Sequence, residues 1–226
     1  MFEQGCYDYQ GNINQNIGIL MSIYKVGNQI LGSYIYESQN KEISLKGKSG
    51  DKNIILYEYD KNGNNIGIFE GSMTSVDKIT GQWTDGKKTF PFTLVIKDNI
   101  TGAEYGKRYS SVVTKVSDKD VGDFANRIKD YISNNDKENV ANLVDYPVTL
   151  KVNGVTNTIT SKDDFIKNYE AIFTDNYKET IKGSFTEYMF VNDQGIMLGD
   201  STYNMWINEE KDKNNNIQLM ITAINN

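Results

Sequence analysis

The stretch "IGILMSIYKVGNQILGSYIYE" (17–37) sets the architecture of the first half of the chain. Residues 17–26 are mostly apolar, the dipeptide Gly27-Asn28 follows, and a second apolar run covers 29–37. A Gly-Asn dipeptide between two such runs is typical of a tight β-hairpin turn, because both turn positions need backbone conformations that Gly and Asn adopt easily. The stretch therefore predicts two antiparallel strands joined by a turn.

The same pattern recurs throughout the first 98 residues. Runs rich in β-branched and aromatic residues alternate with Gly-, Asn- and Asp-rich turns, and none of the runs has helical periodicity. The predicted strands occupy residues 6–11, 17–26, 29–37, 41–48, 53–60, 66–73, 79–83 and 88–96. Consecutive hairpins favour an all-β antiparallel up-and-down barrel or meander over residues 1–98, since a sheet that closes on itself loses its exposed edges.

The outline of these strands also carries a family resemblance. The segments "GCYDY" (5–9), "GSYIYE" (32–37), "ITGQW" (79–83) and "FPFTLVI" (90–96) resemble the small lipocalin- or avidin-like barrels of bacterial secreted proteins. The resemblance implies a topology only, because neither family's ligand motif is recognisable. Barrels of this size are filled by side chains or hold one small ligand.

Aromatic residues along the strands are the candidate ligand-binding groups of the barrel. Tyrosine and tryptophan at a barrel mouth stack on sugars, peptides or lipids, but they also serve as ordinary core and cross-strand pairs. Tyr34 and Tyr36 share one face of their strand, and so do Tyr57 and Tyr59, so we expect both pairs to line one surface. The candidate residues are Tyr34, Tyr36, Tyr57, Tyr59 and Trp83.

Composition excludes several kinds of chemistry. The chain has no histidine and a single cysteine, Cys6. Ser-His-Asp triads, histidine-activated thiols, intrachain disulfides and Cys/His zinc sites are therefore ruled out. The acidic clusters lie where helix starts and solvated loops favour negative charge, so we expect neither a metal nor a cofactor.

The net charge of −6 lies in the second half of the chain. Residues 1–113 carry 12 basic and 12 acidic side chains, whereas residues 114–226 carry 12 and 18. This acidic half argues against binding to nucleic acids or anionic membranes. No apolar run approaches the ~20 residues of a membrane-spanning helix, and no signal peptide is recognisable.

The pattern changes after residues 99–117, which we predict to be a linker or a bridging strand. Apolar residues at helical spacing predict three helices, and an Asn-Gly turn predicts a hairpin between the second and the third. The helices are predicted at 117–135, 137–144 and 163–173, with the hairpin at 148–160. Strands are then predicted at 177–184, 186–192, 195–208 and 216–225.

This order of elements resembles the NTF2-like α+β fold, also called cystatin-like or SnoaL-type, over residues 118–226. The resemblance is carried by "LVDYPVTLKVNG" (143–154), "SKDDFIKNYEAIF" (161–173) and "MFVNDQGIMLGDSTYNMWI" (189–207). It implies a cone in which a curved antiparallel sheet wraps the helices. The interior of such a cone is a filled core, an enzyme cavity or a dimerisation surface.

One strand of the predicted cone contains an internal glycine. We interpret Gly199-Asp200 as a bulge that bends a single long strand, since isolated strand glycines often mark bulges. Beyond the bulge, Met205 and Trp206 point to opposite faces. We expect Phe190 and one of these two residues to lie inside the cone as core.

An isomerase-type enzyme would need a carboxylate base and an oxyanion donor inside this cone. Residues of the right type are Asp145, Tyr146, Tyr169, Glu187, Tyr188, Asp200 and Tyr203. Each also has a sufficient structural role, so we assign no catalytic residue. The ligand-binding candidates of the cone are Tyr146, Tyr169, Tyr188, Tyr203 and Trp206.

We therefore expect a non-catalytic, extracytoplasmic binding or interaction protein. Its partner would be a small molecule, a glycan or a protein, and a homodimer through the sheet of the second domain is also open. Two alternatives stay open, a ketosteroid-isomerase- or SnoaL-like enzyme that uses the cone cavity and an inhibitor or immunity-type protein. The extracytoplasmic location follows from the resemblance and from strand structure that begins close to the first residue, as in a chain whose leader has been removed.

Overall fold

The computed structural model describes residues 2–212 and 214–226, with the backbone only at Asn40. The chain forms two compact units, Met1–Arg108 and Tyr109–Asn226. Each unit is built from elements that are contiguous in sequence.

The first unit is a closed barrel of eight antiparallel strands, which confirms the predicted up-and-down barrel. Each strand pairs with the next, and the last pairs with the first, so the sheet has no free edge. The strands are β1 (Gly5–Ile13), β2 (Ile17–Val26), β3 (Gln29–Tyr36), β4 (Gln39–Ser49), β5 (Asn53–Tyr59), β6 (Asn65–Ser72), β7 (Lys78–Thr84) and β8 (Thr89–Thr101).

Inward-facing side chains fill most of the barrel. Tyr9, Ile23, Tyr34, Phe69 and Leu94 are each at most 1% exposed. The Phe69 ring makes edge-to-face contact with the Tyr34 ring, with the two centroids 5.5 Å apart. The middle of the barrel is therefore a packed core rather than a channel.

Glycines allow neighbouring barrel strands to cross at very short range. A Cβ atom at Gly47 would lie 1.8 Å from the carbonyl oxygen of Ile55, and one at Gly11 would lie 1.9 Å from that of Thr93. The same approach of a cross-strand carbonyl recurs at Gly32 and Gly81. No side chain fits at such distances, so the tight coiling of this small barrel requires glycine at these positions.

Strand β1 is buried on both faces at its start. Tyr7 and Tyr9 point into the barrel, whereas Cys6 and Asp8 lie on the outer face beneath the segment that follows β8. Arg108 from that segment is 4% exposed and pairs with Asp8 through both terminal nitrogens, with Nη1 donating to Oδ1 at 2.9 Å. This two-point ion pair fastens the segment to the outside of the barrel.

The thiol of Cys6 belongs to the same buried cluster. Its Sγ lies 3.1 Å from Ser22 Oγ and accepts a hydrogen bond of 3.1 Å from Arg108 Nη1. Burial and, secondarily, the Asp8 carboxylate raise the pKa of the Cys6 thiol to about 12. The thiol therefore stays protonated near neutral pH and is a packing group rather than a nucleophile.

The second unit contains four helices and two small sheets within its described residues. The helices are α1 (Asp118–Ser133), α2 (Lys137–Asn142), α3 (Lys162–Ile172) and α4 (Asp175–Gly183). Strands β9 (Val148–Val152) and β10 (Val155–Ile159) form a two-stranded sheet. The four-stranded antiparallel sheet contains β11 (Phe190–Asn192), β12 (Gly195–Gly199), β13 (Asn204–Lys211) and β14 (Ile217–Asn225).

The strand predicted at 177–184 is wrong, because these residues belong largely to α4. Thr174 caps this helix by accepting a hydrogen bond from the backbone N–H of Tyr177, and Asp175 places negative charge in its first turn. Tyr177 and Ile181, four residues apart, form its buried face. This helical spacing, together with the cap, decides against a strand.

The bulge predicted at Gly199-Asp200 is also wrong. A turn follows Gly199 and separates β12 from β13, which pair as a hairpin. The Asp200 carboxylate holds the turn by accepting hydrogen bonds from the backbone N–H groups of Thr202 at 2.7 Å and Tyr203 at 2.8 Å. Such Asx-type bonding stabilises a reversal of the chain, which explains why the long strand is two strands.

The predicted faces of this sheet are confirmed in part, because Met205 is fully buried and lies on the face opposite to Trp206. Ile196 and Ile207 pair across β12 and β13 on a fully buried face, whereas Met197 and Trp206 pair on the opposite one. Phe190 lies on the same face as Trp206 and is 41% exposed, so its predicted place in the core is wrong. Trp206 itself is only 8% exposed.

We predict that Arg108→Met lowers the free energy of unfolding of the barrel by about 3–5 kcal/mol, because it leaves the Asp8 charge buried without its counter-ion. The double variant Asp8→Leu/Arg108→Met removes both charges and is expected to recover most of this loss. Urea unfolding followed by circular dichroism measures both effects. A double variant as unstable as Arg108→Met would show that Arg108 acts mainly through other contacts.

We further predict that Gly47→Ala destabilises the barrel by about 3 kcal/mol or more, since the added methyl group collides with backbone atoms that cannot move independently. The control is Gly122→Ala in α1, where a Cβ atom meets nothing closer than 3.8 Å. That variant should stabilise its helix by about 0.5–1 kcal/mol. Equal stabilities of the two variants in the same denaturation assay would refute the close-approach explanation.

Candidate functional site

The candidate site lies at the end of the barrel where β3, β5 and β7 finish. Glu58 on β5 points inward in phase with Ile54 and Leu56 and is only 2% exposed. It is therefore a carboxyl group placed inside a core that is otherwise apolar and aromatic. A group of this kind needs partners, because desolvation penalises its charged form.

Neutral donors hold one oxygen of this carboxyl group. Glu58 Oε1 accepts a hydrogen bond of 2.8 Å from the Tyr34 hydroxyl and one of 2.5 Å from Trp83 Nε1. The hydroxyls of Tyr34 and Tyr36 are 3.0 Å apart. Because Tyr34 has a single hydroxyl proton, a bond to Glu58 leaves it to accept from Tyr36, which gives a chain from Tyr36 through Tyr34 to Glu58.

The other oxygen occupies space that a side chain would normally take. Gly67 pairs directly with Glu58 across β5 and β6. A Cβ atom at Gly67 would lie 2.2 Å from Glu58 Oε2, so glycine makes room for the carboxyl group. No residue that the structure describes donates a hydrogen bond to Oε2.

Aromatic rings surround the carboxyl group at the barrel end. Trp83 and Phe90 stack with their ring planes 3° apart and their centroids 6.2 Å apart. The rings of Tyr34 and Tyr36 meet edge to face at 5.3 Å. Tyr36, Trp83 and Phe90 are half-buried, whereas Tyr34 below them is fully buried. The site is thus a small aromatic mouth with a carboxyl group at its base.

Burial dominates the electrostatics of this cluster. It raises the pKa of Glu58, and the hydrogen bonds from Trp83 and Tyr34 only partly oppose the effect, while the Asp85 charge adds to it. Burial also raises the pKa of Tyr34, so its hydroxyl stays a neutral donor. Among the described residues no lysine or arginine forms an ion pair with Glu58.

The structure brings three of the five barrel candidates together and separates the other two. Tyr34, Tyr36 and Trp83 face the interior around Glu58. Tyr57 and Tyr59 alternate with the buried Leu56 and Glu58 and therefore lie on the outer face of β5. The expectation that both tyrosine pairs line one surface is wrong, because β3 and β5 present their tyrosines to opposite sides of the sheet.

The candidates of the second unit lie around a packed aromatic core. Phe165, Tyr169, Phe173 and Tyr177 are each at most 1% exposed, and successive rings are in contact from α3 into α4. The Tyr169 hydroxyl is enclosed and has no hydrogen-bond partner among the described residues. These side chains form a packed core in the second unit.

The other candidates of this unit have local partners or lie elsewhere. The Tyr146 hydroxyl donates to the carbonyl of Ala141 at 3.0 Å, and the Tyr203 ring packs against Tyr177. Tyr188 is half-buried with a left-handed backbone conformation (φ 55°), and Trp206 lies on the sheet face opposite to Ile207. The five tyrosine and tryptophan candidates therefore do not converge on one point.

Two open grooves lie away from all of these candidates. One, of about 660 Å³, runs over the outside of the barrel beside Lys48, Asn53 and Glu70. The other, of about 680 Å³, lies between α1 and β14 and is lined by Asp120, Asp123, Asp130 and Arg127, among others. Over residues 2–212 and 214–226, no cluster of three acidic or cysteine side chains is arranged to hold a metal ion. No described helix is both long and apolar enough to cross a membrane.

Sequence reasoning missed Glu58, the residue at the centre of the cluster. The signal was present in "NIILYEYD" (53–60), where Glu58 falls in phase with Ile54 and Leu56. A charged residue in phase with apolar ones is the pattern that a buried polar site produces, although Ile55, Tyr57 and Tyr59 make the other face of this strand apolar as well.

No protein-family model, curated protein or solved structure matches this chain. Its function must therefore be inferred from the geometry of its own residues.

We predict that Glu58→Gln changes how stability depends on pH. Folding raises the pKa of Glu58, so the protonated form of this group favours the folded state. Its contribution to stability is complete below the ordinary pKa of glutamate and is lost as the pH rises from there through the raised pKa. Glutamine keeps an acceptor for Tyr34 and Trp83 and never ionises. The variant should therefore gain stability relative to the wild type across this window, by up to about 1.4 kcal/mol per pH unit.

Urea unfolding between pH 4 and 8 tests this difference. Glu70→Gln removes an exposed carboxylate from β6 and controls for the change in net charge. Parallel stability profiles for the wild type and Glu58→Gln would contradict the prediction.

Proposed function

We propose that this chain is a non-catalytic binding protein whose barrel takes up a small ligand at the Glu58 end. The observation that supports the proposal is the carboxyl group of Glu58, buried beneath half-exposed aromatic rings and held by donors on one oxygen only. Binding sites for small molecules typically combine apolar walls with a few fixed polar groups, as this cluster does.

The chemistry of the cluster favours recognition over catalysis. Trp83 does not titrate, and burial raises the pKa of both Tyr34 and Tyr36, so neither hydroxyl readily gives up a proton near neutral pH. Within the described residues, Glu58 therefore has no second group in contact that could act as its acid or base partner. General acid–base catalysis needs groups whose pKa values lie near the working pH.

The enzyme alternative for the second unit has less support. Its interior holds the packed rings of Phe165, Tyr169, Phe173 and Tyr177. Tyr169 has an enclosed, unpartnered hydroxyl. Two lysine Nζ atoms lie 5.5 and 5.6 Å from its ring centroid, and the charges of Glu170 and Asp136 act on it. No described carboxyl group accepts its proton.

The family assignments belong to this proposal as well. A lipocalin- or avidin-like origin of the barrel is supported by its eight up-and-down strands. An NTF2-like origin of the second unit is supported by the order of helices, hairpin, helix and terminal antiparallel sheet. Two features depart from that pattern, the additional helix α4 and the separate two-stranded sheet of β9 and β10.

A second candidate function is protein interaction through the four-stranded sheet. Phe190, Met197, Trp206 and Ala223 form one row across four neighbouring strands, and Phe190 at its end is 41% exposed. The exposed end of this row is where a partner would bind, because exposed apolar surface is found at protein interfaces. The partner would be another protein or a second copy of this chain.

We predict that native mass spectrometry of protein isolated from its own host shows a retained small molecule. Trp83→Leu should lower the occupied fraction at least tenfold, because it removes both an aromatic wall and a donor to Glu58. Tyr57→Leu, on the outer face of β5, is the matched control and should retain the ligand. The same spectra report whether the chain is monomeric.

Two results would count against the proposal. A ligand-free wild-type protein would argue against a small-molecule function. A ligand retained equally by Trp83→Leu and the wild type, with circular dichroism showing both folded, would place the binding site outside the barrel end.

A further inference from the structure

We propose that the ligand of the barrel end is a small organic cation whose ammonium group lies against Glu58. This inference rests on the proposed function and adds the chemical class of the ligand. It follows from the unused hydrogen-bonding capacity of Glu58, from the rings around it, and from the charges nearby.

The carboxyl group of Glu58 has an unfilled position. A carboxylate accepts about four hydrogen bonds through its two oxygens, and the structure supplies two, both to Oε1. Oε2 accepts none and is not among the fully enclosed polar atoms. A ligand that enters the mouth can therefore donate to Oε2 without displacing Tyr34 or Trp83.

The charge of Glu58 decides which donor fits best. Glu58 is 2% exposed and, among the described residues, is bonded only by the uncharged groups of Tyr34 and Trp83. A buried carboxylate without a counter-ion is unfavourable, and a charge-assisted hydrogen bond from an ammonium group is about twice as strong as a neutral one. A cation would thus supply the partner that the protein lacks.

The rings of the mouth favour the same ligand. Tyr36, Trp83 and Phe90 are half-buried and stand around the carboxyl group. Aromatic rings attract cations through their electron-rich faces, and tryptophan does so most strongly. Their apolar edges also suit the short alkyl chain of an organic ammonium ion better than they suit a hydrated metal ion.

The space beneath Glu58 and the charges near it further restrict which class of ligand can bind. Tyr34 and Phe69 fill the barrel immediately beneath Glu58, so only a small head group can reach the carboxyl oxygen. Asp85, in the turn between β7 and β8, carries a negative charge that repels the charge of Glu58. Together the two carboxyl groups disfavour an anionic ligand at this end of the barrel.

Matched probes test the inference in the intact chain of 226 residues. Trp206→Phe leaves Trp83 as the sole tryptophan, so that its fluorescence reports on the site. We titrate this variant with n-butylammonium and with n-butanol, which has the same chain length and a neutral donor. Potassium chloride at equal ionic strength controls for salt.

We expect n-butylammonium to bind with a saturable change in Trp83 fluorescence and n-butanol to bind at least tenfold more weakly. Adding Glu58→Gln should weaken the binding of n-butylammonium at least tenfold and that of n-butanol much less, because a hydroxyl can also accept a hydrogen bond from the glutamine amide, whereas an ammonium group cannot. Tyr36→Leu, which leaves Glu58 and its two donors in place, should weaken n-butylammonium severalfold. Tyr57→Leu on the outer face should have no effect.

The outcomes separate this inference from the proposed function. Equal affinity for the two probes, or unchanged affinity in folded Glu58→Gln, would overturn the cation while leaving a binding site at the barrel end. Failure of both probes to bind, together with a retained host ligand, would overturn it in the same way. Failure of both probes together with a ligand-free host protein would overturn both proposals.

Discussion

The pairing of β1 with β8 is the constraint on which the rest of the first unit depends. It closes the sheet, and with eight strands the enclosed space is just wide enough for side chains or for one small ligand. Closure brings strands so near to one another that positions such as Gly47 admit no Cβ atom. A polar group in this space cannot reach bulk water freely, so Glu58 draws its partners from Tyr34 and Trp83 on other strands.

The two buried carboxyl groups of the barrel are compensated in different ways for the hydration that they lose on burial. Asp8, on the outer face of β1, has a guanidinium partner in Arg108 with two-point geometry. Glu58, inside the barrel, has only neutral partners and one unused oxygen. A fully paired group is sufficient to hold structure together, whereas an incompletely paired one has capacity left for a ligand. This contrast, rather than burial alone, distinguishes the candidate site.

Sequence patterns predicted the hairpins of the barrel well, because turn chemistry and alternation are local properties. They did not predict which face of each strand is inside, since alternation divides residues into two sets without orienting them. Tyr34, Tyr36 and Trp83 were therefore identified as candidates together with Tyr57 and Tyr59, although only the first three surround the site. Glu58 was missed because a charged residue is ordinarily assigned to the solvent face. In the second unit, the turn after Gly199 depends on the side chain of Asp200, which periodicity does not register. The helical spacing of α4 rests on Tyr177 and Ile181 alone, beside the Thr174 cap.

The burial of Cys6 keeps the thiol of the folded chain away from oxidants and reductants in solution. Its thiol is fully buried and protonated beneath Ala103, and it is the chain's single sulfhydryl group. Oxidants act on exposed thiolates, and disulfide exchange needs the same form. The folded protein therefore contains no intrachain disulfide for a reductant to break, and its thiol becomes available for exchange with a second copy only when the chain unfolds around it.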